Sequence, residues 1–463
     1  MRFQTSFLIT LAFQALILAI DKGAGFVILW LLREDAPKAG GVQLLLQLPA
    51  ILVAIGNLGL AASLVYFSKR KEVDLQTAGR TTTTVAILQG LLLALVMWGA
   101  LELWVLFKEG AVLPRWSLLL PMLFLPIFLL IATYHNYIQL AVGRIVGFNV
   151  ARLAPSLCFL PLFLLLYFVP VERDAYEAAV YARFLPGVLT AVLLLWFLRD
   201  VVPLRLGLDL TFLKKAVAYG WRANLHATFT ALNHRLDLYL LGALFVVRTQ
   251  LPENEQIALL EREVAFYAYA MTIAELIWHF PEALRDVLFA KVSGLSEGEA
   301  RDFTPVVARN SLWIAVLAAA GLWWLHAPCL SFLLGASWEE TWRDGLTPVL
   351  ALLLPGTVLY TIAKVLQADL MARRHLNACN LATFAVFVVL LGLDFVLVPS
   401  AGARGAAMAS TIAYAVGAVL SVAFYVRSTG VSVRELLLVR RSDLRHYEAL
   451  VRQRRAVKSS ASD

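Results

Sequence analysis

The chain has 463 residues, of which 60% are hydrophobic and only 16% charged, with a net charge of +8. This composition excludes an ordinary soluble globule. The basic excess sits in short connections and at the C-terminal end, so nucleic acid is not an expected partner. The scattered cysteines Cys158, Cys329 and Cys379 exclude a disulfide framework and a cysteine metal centre.

Crossing a bilayer takes about 20 apolar residues in a helix, and such runs recur from end to end. Twelve spans are predicted, at residues 4–31, 42–67, 82–107, 116–140, 153–170, 179–198, 216–247, 263–290, 306–327, 346–370, 378–398 and 403–427. The first run is too long for the apolar core of a signal peptide and reads as a retained span. Lysine and arginine concentrate in alternate connections (Lys69, Arg70, Lys71 and Arg80; Arg144 and Arg152; Arg199, Arg205, Lys214 and Lys215; Lys291, Arg301 and Arg309; Arg373 and Arg374). By the positive-inside rule these are cytoplasmic, and an even number of spans puts both termini there.

The break at 199–215 divides the chain into a first six-span lobe (1–198) and a second (216–427), with a basic tail at 428–463. The break is expected to hold an amphipathic helix on the cytoplasmic surface. Small-residue turns open the sixth span (Ala178-Ala179) and the twelfth (Ala406-Ala407), hinting at a parallel repeat about an axis along the membrane normal. Prolines inside spans (Pro49, Pro121, Pro126, Pro161, Pro186, Pro281 and Pro355) kink their helices, whether as ordinary bundle geometry or to let the lobes rock.

Polar residues inside the spans carry the functional signal, because a charge at mid-bilayer costs roughly 2.5–3.5 kcal/mol. The first span holds Gln14, Asp21 and Lys22, the fourth His135, Asn136 and Gln139, and the sixth Arg183. In the seventh, Arg222, His226, Thr230, Asn233 and Asp237 share one helical face, with His234 at its edge and Arg235 nearly opposite. This stripe predicts a helix lining a hydrophilic cavity. The eighth adds Glu275, His279, Glu282 and Asp286, and the tenth Tyr360, Lys364 and Gln367. Each ion could be structural glue between helices, but polar groups on so many helices favour a shared route across the membrane. A partly desolvated Glu275 or Glu282 is a candidate proton carrier. No phosphate-binding loop or zinc-binding His-Glu-x-x-His helix occurs, so no catalytic residue, metal or cofactor is expected. In the tail, Leu437, Leu444, Tyr447 and Val451 fall at helical spacing among arginines. That pattern suits an amphipathic helix on anionic lipid, a solvated charged tail or a partner-docking element.

Several stretches carry a family likeness: Leu32-Arg33-Glu34-Asp35 through Gly40, Gly56-Asn57-Leu58-Gly59 through Ser63, Arg235-Leu236-Asp237 through Gly242, Val264 through Ala270 followed by Pro281, and Pro399 through Ser410. In this order and spacing the chain resembles the O-antigen and exopolysaccharide flippases of the multidrug/oligosaccharidyl-lipid/polysaccharide exporter superfamily. The resemblance implies an all-α polytopic membrane protein with about twelve helices in two six-helix lobes, MATE-like and V-shaped, in a bacterial inner membrane. It implies alternating access and a substrate of undecaprenyl-pyrophosphate carrying a short glycan, with no enzymatic step. Lys22, Arg222, Arg235 and Lys364 are then the candidate pyrophosphate cations, with His226, His234 and Asn233 beside them. Asp21, Asp237, Glu275, His279 and Glu282 are the candidates for coupling to H+ or Na+. Membrane lipids and a polysaccharide polymerase or assembly protein are possible partners. A drug or cation antiporter of the same superfamily, and a non-transporting subunit of a polysaccharide synthase, are the alternatives.

Overall fold

A computed structural model describes residues 3–107, 115–169, 174–245, 252–279, 281–282 and 297–438. The described residues are helical almost throughout. The helices are α1 (Phe3–Leu31), α2 (Ala36–Gly56), α3 (Leu60–Lys69), α4 (Leu75–Phe107), α5 (Trp116–Ala141), α6 (Ile145–Phe168) and α7 (Ala175–Phe197), then α8 (Leu210–Leu244), α9 (Glu253–Ala274), α10 (Glu297–Leu334), α11 (Arg343–Ala372), α12 (Leu376–Thr429) and the short α13 (Val433–Leu437). Nine helices among the described residues are long and apolar enough to cross a membrane. The 54-residue α12 is two such arms meeting at Gly402, whose φ of 55° and ψ of −132° interrupt the helix. α8 falls short of that apolarity because it carries the polar residues singled out above, and α9 because it opens on the charged run that includes Glu253, Glu255, Glu261, Arg262 and Glu263. Among the described residues these helices overlap the twelve predicted spans, the eighth only as far as 282.

Three elements differ from expectation. The second span is not one rod. It starts earlier, at Ala36 behind the Asp35 cap, and breaks at Leu58 and Gly59, where φ is 46° and 75°. Gly59 is required there: a Cβ on it would lie 2.3 Å from the Gly220 carbonyl oxygen on α8. The 199–215 break holds no amphipathic helix up to Asp209. Pro203 and Gly207 disfavour one, and Leu204, Leu206, Leu208 and Leu210 alternate with period two, exposed on one side of an irregular segment. Its backbone is pinned to α4 instead: Gly207 N–H donates to Thr84 Oγ1 and Asp209 N–H to Thr81 Oγ1, both at 3.0 Å. Asp209 then caps α8 by accepting from Thr211 and Phe212 N–H. Finally, the described start of the tail docks on the protein. Leu436 is buried, Arg309 Nη1 donates to the Glu435 carbonyl and Trp313 Nε1 to the Leu437 carbonyl, both at 3.0 Å. The rest of the tail, from 439, lies outside the described residues, as do Arg285, Asp286 and Lys291.

α1–α7 pack chiefly among themselves, through α4 on α5, α5 and α6 on α7, and α1 on α6. α8–α12 do the same, through α11 on α12, α12 on α8, and α9 and α10 on α11. Between the two halves, α2 runs along α9 and α2–α3 meet α8. One apolar cluster crosses this boundary, joining Ile28, Leu29, Val42 and Phe163 to Tyr267, Trp278, Leu350 and Tyr414.

Candidate functional site

Where the halves meet, a cavity of about 350 Å³ lies between α1, α2, α6, α7, α8 and α9. Its wall carries Asp21, Lys22, Arg183, His234, Arg235, Glu275, His279 and Glu282, with Gln43, Gln47 and Thr272. The α9 helix tightens to a 3₁₀ turn over Glu275–Trp278 just as it reaches the cavity, which seats Glu275 at the wall and Trp278 behind it.

Glu275 is the hub. Its carboxylate receives Lys22 Nζ at 3.0 Å from the first half and Arg235 Nη1 at 2.9 Å from the second. Its side chain is only 7% exposed, against 20% for Lys22 and 26% for Arg235. Two cations around one buried carboxylate leave a net positive cluster facing the space. A second pair continues the wall: Lys364 Nζ, from α11, lies 2.7 Å from Glu282, with His279 Nδ1 at 3.8 Å from the same carboxylate. Lys364 also sits 4.4 Å from the Trp278 ring centroid, a cation–π contact. The His234 ring stacks on Trp278 at 4.7 Å, and both line the cavity. Arg183 faces Asp21 electrostatically, and its buried Nε has no hydrogen-bond partner among the described residues.

The predicted stripe on α8 does not face this space. Arg222 is exposed on the N-terminal half of the helix, over the Trp221 ring, and its carbonyl accepts from Asn380 on α12. His226 Nδ1 meets Thr383 Oγ1 at 3.0 Å, Asn233 Nδ2 donates to the Thr383 carbonyl at 3.0 Å, and Tyr414 OH donates to the Asn233 carbonyl at 3.0 Å. The stripe is therefore the seam between α8 and α12, where polar groups pair across helices. One or two residues along, the neighbouring face brings His234 and Arg235 to the cavity. A helical wheel identifies a polar face without saying which neighbour it meets.

Asp237, on that seam, opens a second site that the sequence reading missed in part. Its carboxylate is fully buried and accepts from Tyr267 OH, from Ser410 Oγ at 2.8 Å and from Leu238 N–H at 2.9 Å. Asp394, on the first arm of α12, is also fully buried and lies within electrostatic reach of Asp237. Neither Asp394 oxygen has a hydrogen-bond partner among the described residues. Two carboxylates and two hydroxyls thus share a buried interior, where a negative charge is costly without compensation. The signal was in the sequence: Asp394 is a lone carboxylate in an apolar run, costly there by default.

Among solved structures, the lipid II flippase MurJ in an inward closed conformation matches with a TM-score of 0.70 and 14% identity, covering 91% of this chain and 88% of that one. The inward-facing conformation of a multidrug resistance MATE family transporter of the MOP superfamily matches with a TM-score of 0.65 and 16% identity, covering 89% and 94%. This is the MOP-type transporter fold. A MOP superfamily transporter from Pyrococcus furiosus, described by the reverse polarity of its binding pocket, shares it with a TM-score of 0.56 and 15% identity over 92% and 94%. No protein-family model matches the chain, and no curated protein matches it in sequence. The similarity establishes a multi-pass membrane protein of this fold, like known transporters and flippases.

Proposed function

We propose that this protein flips an undecaprenyl-pyrophosphate-linked oligosaccharide or exopolysaccharide unit across the bacterial inner membrane by alternating access. The observation that carries the reading is Glu275, bound at once by Lys22 from the first half and Arg235 from the second. A carboxylate between two cations stands where a phosphate of the substrate would go. A pyrophosphate arriving in the cavity offers stronger, multidentate acceptors to the same donors and displaces Glu275. That exchange replaces a bond between the halves with bonds to cargo, so binding bears on the contact that must change for the cavity to reopen on the other side. Arg183, His234 and Lys364 supply further donors along the wall. The lobes proposed to move are residues 1–198 and 216–427, with the basic connections and both termini cytoplasmic.

The Asp237–Asp394 set is the proposed coupling site, because Arg235 is within electrostatic reach of Asp237 while neither Asp394 oxygen has a hydrogen-bond partner among the described residues, which calls for a proton or a monovalent cation to neutralise the second carboxylate. The reading is tested in a bacterium whose surface polysaccharide depends on this protein. Lys22→Ala or Arg235→Ala is expected to abolish surface polysaccharide at normal protein level, and wild-type polysaccharide in both variants would refute it. The carboxylates in the cavity (Asp21, Glu275 and Glu282) favour a second reading, a cation or drug antiporter. Hypersensitivity of a deletion strain to cationic dyes with normal glycans would select that one.

A further inference from the structure

The polar first part of α9, ahead of the membrane-spanning stretch that begins at 263, meets α2 backbone to backbone. A Cβ on Gly40 would lie 1.9 Å from the Glu261 carbonyl oxygen, and one on Gly41 2.8 Å from Glu261 Oε1. The two halves are thus in van der Waals contact at this end, and the Glu261 side chain is wedged into the contact. Tyr176 OH, at the start of α7, lies 3.1 and 3.0 Å from the two Glu261 carboxyl oxygens. Around them stand Asp35 and Lys38 of the α2 start and the α7 cap Asp174, with Lys38 Nζ 3.3 Å from Asp35 and 3.6 Å from Asp174. Two residues on, Glu263 Oε2 accepts from Ala403 N–H at 2.9 Å and so braces the α12 kink. α9 therefore carries one carboxyl into each half at the same end. Trp342 Nε1 adds a bond between halves by donating to the Arg33 carbonyl at 2.8 Å.

We infer that Glu261 is a proton-binding latch: closure of the halves at this end takes up a proton at its carboxyl, and loss of that proton lets the end open. The inference goes beyond the substrate reading and rests only on alternating access. Closing strips water from the carboxyl, which disfavours its charged form. Asp35 and Asp174 add repulsion, while the Tyr176 hydrogen bond and Lys38 pull the other way. The balance pushes Glu261 up from the ordinary 4.5 to about 7. Opening would return it to water and to the ordinary value. The closed state then binds more protons in between, so closure is strongest at acid pH and is lost as pH rises through about 7. With the partial exposure of the group allowed for, the open-to-closed ratio should change on the order of a hundredfold across this window.

The test is a pair of spin labels on full-length protein in lipid nanodiscs, at exposed Glu34 in the first half and Glu255 in the second, with the native cysteines replaced. The short-distance population should dominate near about pH 5 and fall by about pH 9, with a midpoint near neutrality. Glu261→Gln, which cannot ionise, should hold the short distance at every pH. Tyr176→Phe removes a hydrogen bond that favours the carboxylate, so its midpoint should move to higher pH, a shift that mere loss of packing would not produce. Distances independent of pH in the wild type, or an unchanged titration in Glu261→Gln, would overturn the inference. No substrate is present, so failure here leaves the proposed cargo untouched, and failure of the polysaccharide assay leaves the latch untouched.

Discussion

Glu275 and Asp394 are both buried carboxylates of the second half, yet they meet opposite fates. Glu275 sits at the wall of the cavity with a cation on either side, one of them borrowed from the other half. Asp394 sits inside the second half with no partner for either oxygen among the described residues and with Asp237 for a neighbour. Protein charge compensates the first, which under the proposed function is what an anionic cargo would exchange with. Nothing fixed among the described residues compensates the second, so whatever neutralises it must come and go. Burial alone does not separate a cargo site from a coupling site. The source of the opposite charge does.

The comparison breaks most sharply at Asp394. Asp394→Asn should abolish ion-dependent flipping, measured with a fluorescent lipid-linked substrate in proteoliposomes under Na+ and pH gradients. It should also raise the melting temperature, since leaving a buried charged group without hydrogen bonds costs more than about 1–3 kcal/mol. Flipping that keeps its ion dependence would remove Asp394 from coupling. Next in size, Arg235→Ala leaves Glu275 with Lys22 as its remaining cation and, on the proposed reading, removes a substrate donor. Breaking such a pair costs about 3–5 kcal/mol when buried, less here because Arg235 is partly exposed. Transport should fall by on the order of tenfold or more, with a lower melting temperature. Glu275→Gln sharpens the comparison from the other side. It frees Lys22 and Arg235, so a pyrophosphate probe should bind several-fold tighter by about 1 kcal/mol, while turnover slows because the internal competitor for release is gone. Weaker binding would contradict the exchange. Smallest is Arg222→Ala: exposed and remote from the cavity, it should leave transport within about twofold, as surface changes usually do. A large loss would return it to the cargo path.

Much of this was legible in the sequence, for identifiable reasons. Spans follow from run length, so α1, α4–α7, α10 and α11 fall close to where apolar runs put them. Lys22, Arg235, Glu275, His279 and Glu282 were legible as ions that lipid would not tolerate, and the structure gathers them at one wall. The break at Gly59 was not, because a glycine in an apolar run reads the same in a straight helix as at a bend, whereas the bend at Gly402 falls in the predicted gap between the spans at 378–398 and 403–427. The seam on α8 was misread because polarity along Arg222, His226, Asn233 and Asp237 is equally suited to water and to the hydroxyls and carbonyls of α12. Asp394 was passed over because it forms no stripe: a site built from single residues on separate helices leaves no periodic trace.

The glycines at the boundary have a mechanical meaning. Gly40 rests on the Glu261 carbonyl near the start of α2, and Gly59 on Gly220 at the break between α2 and α3. Neither glycine brings a side chain of its own to its seat, so backbone meets backbone at both. Each resembles a knife-edge on which a beam can tip, and the two differ only in what fastens them. At Gly40 the fastening is a carboxyl that a proton can alter. At Gly59 it is the Ser63 hydroxyl, 2.6 Å from the Ala216 carbonyl, which no accessible pH will titrate. A beam with one adjustable clasp and one constant clasp has a built-in direction of response to acid, whatever it carries.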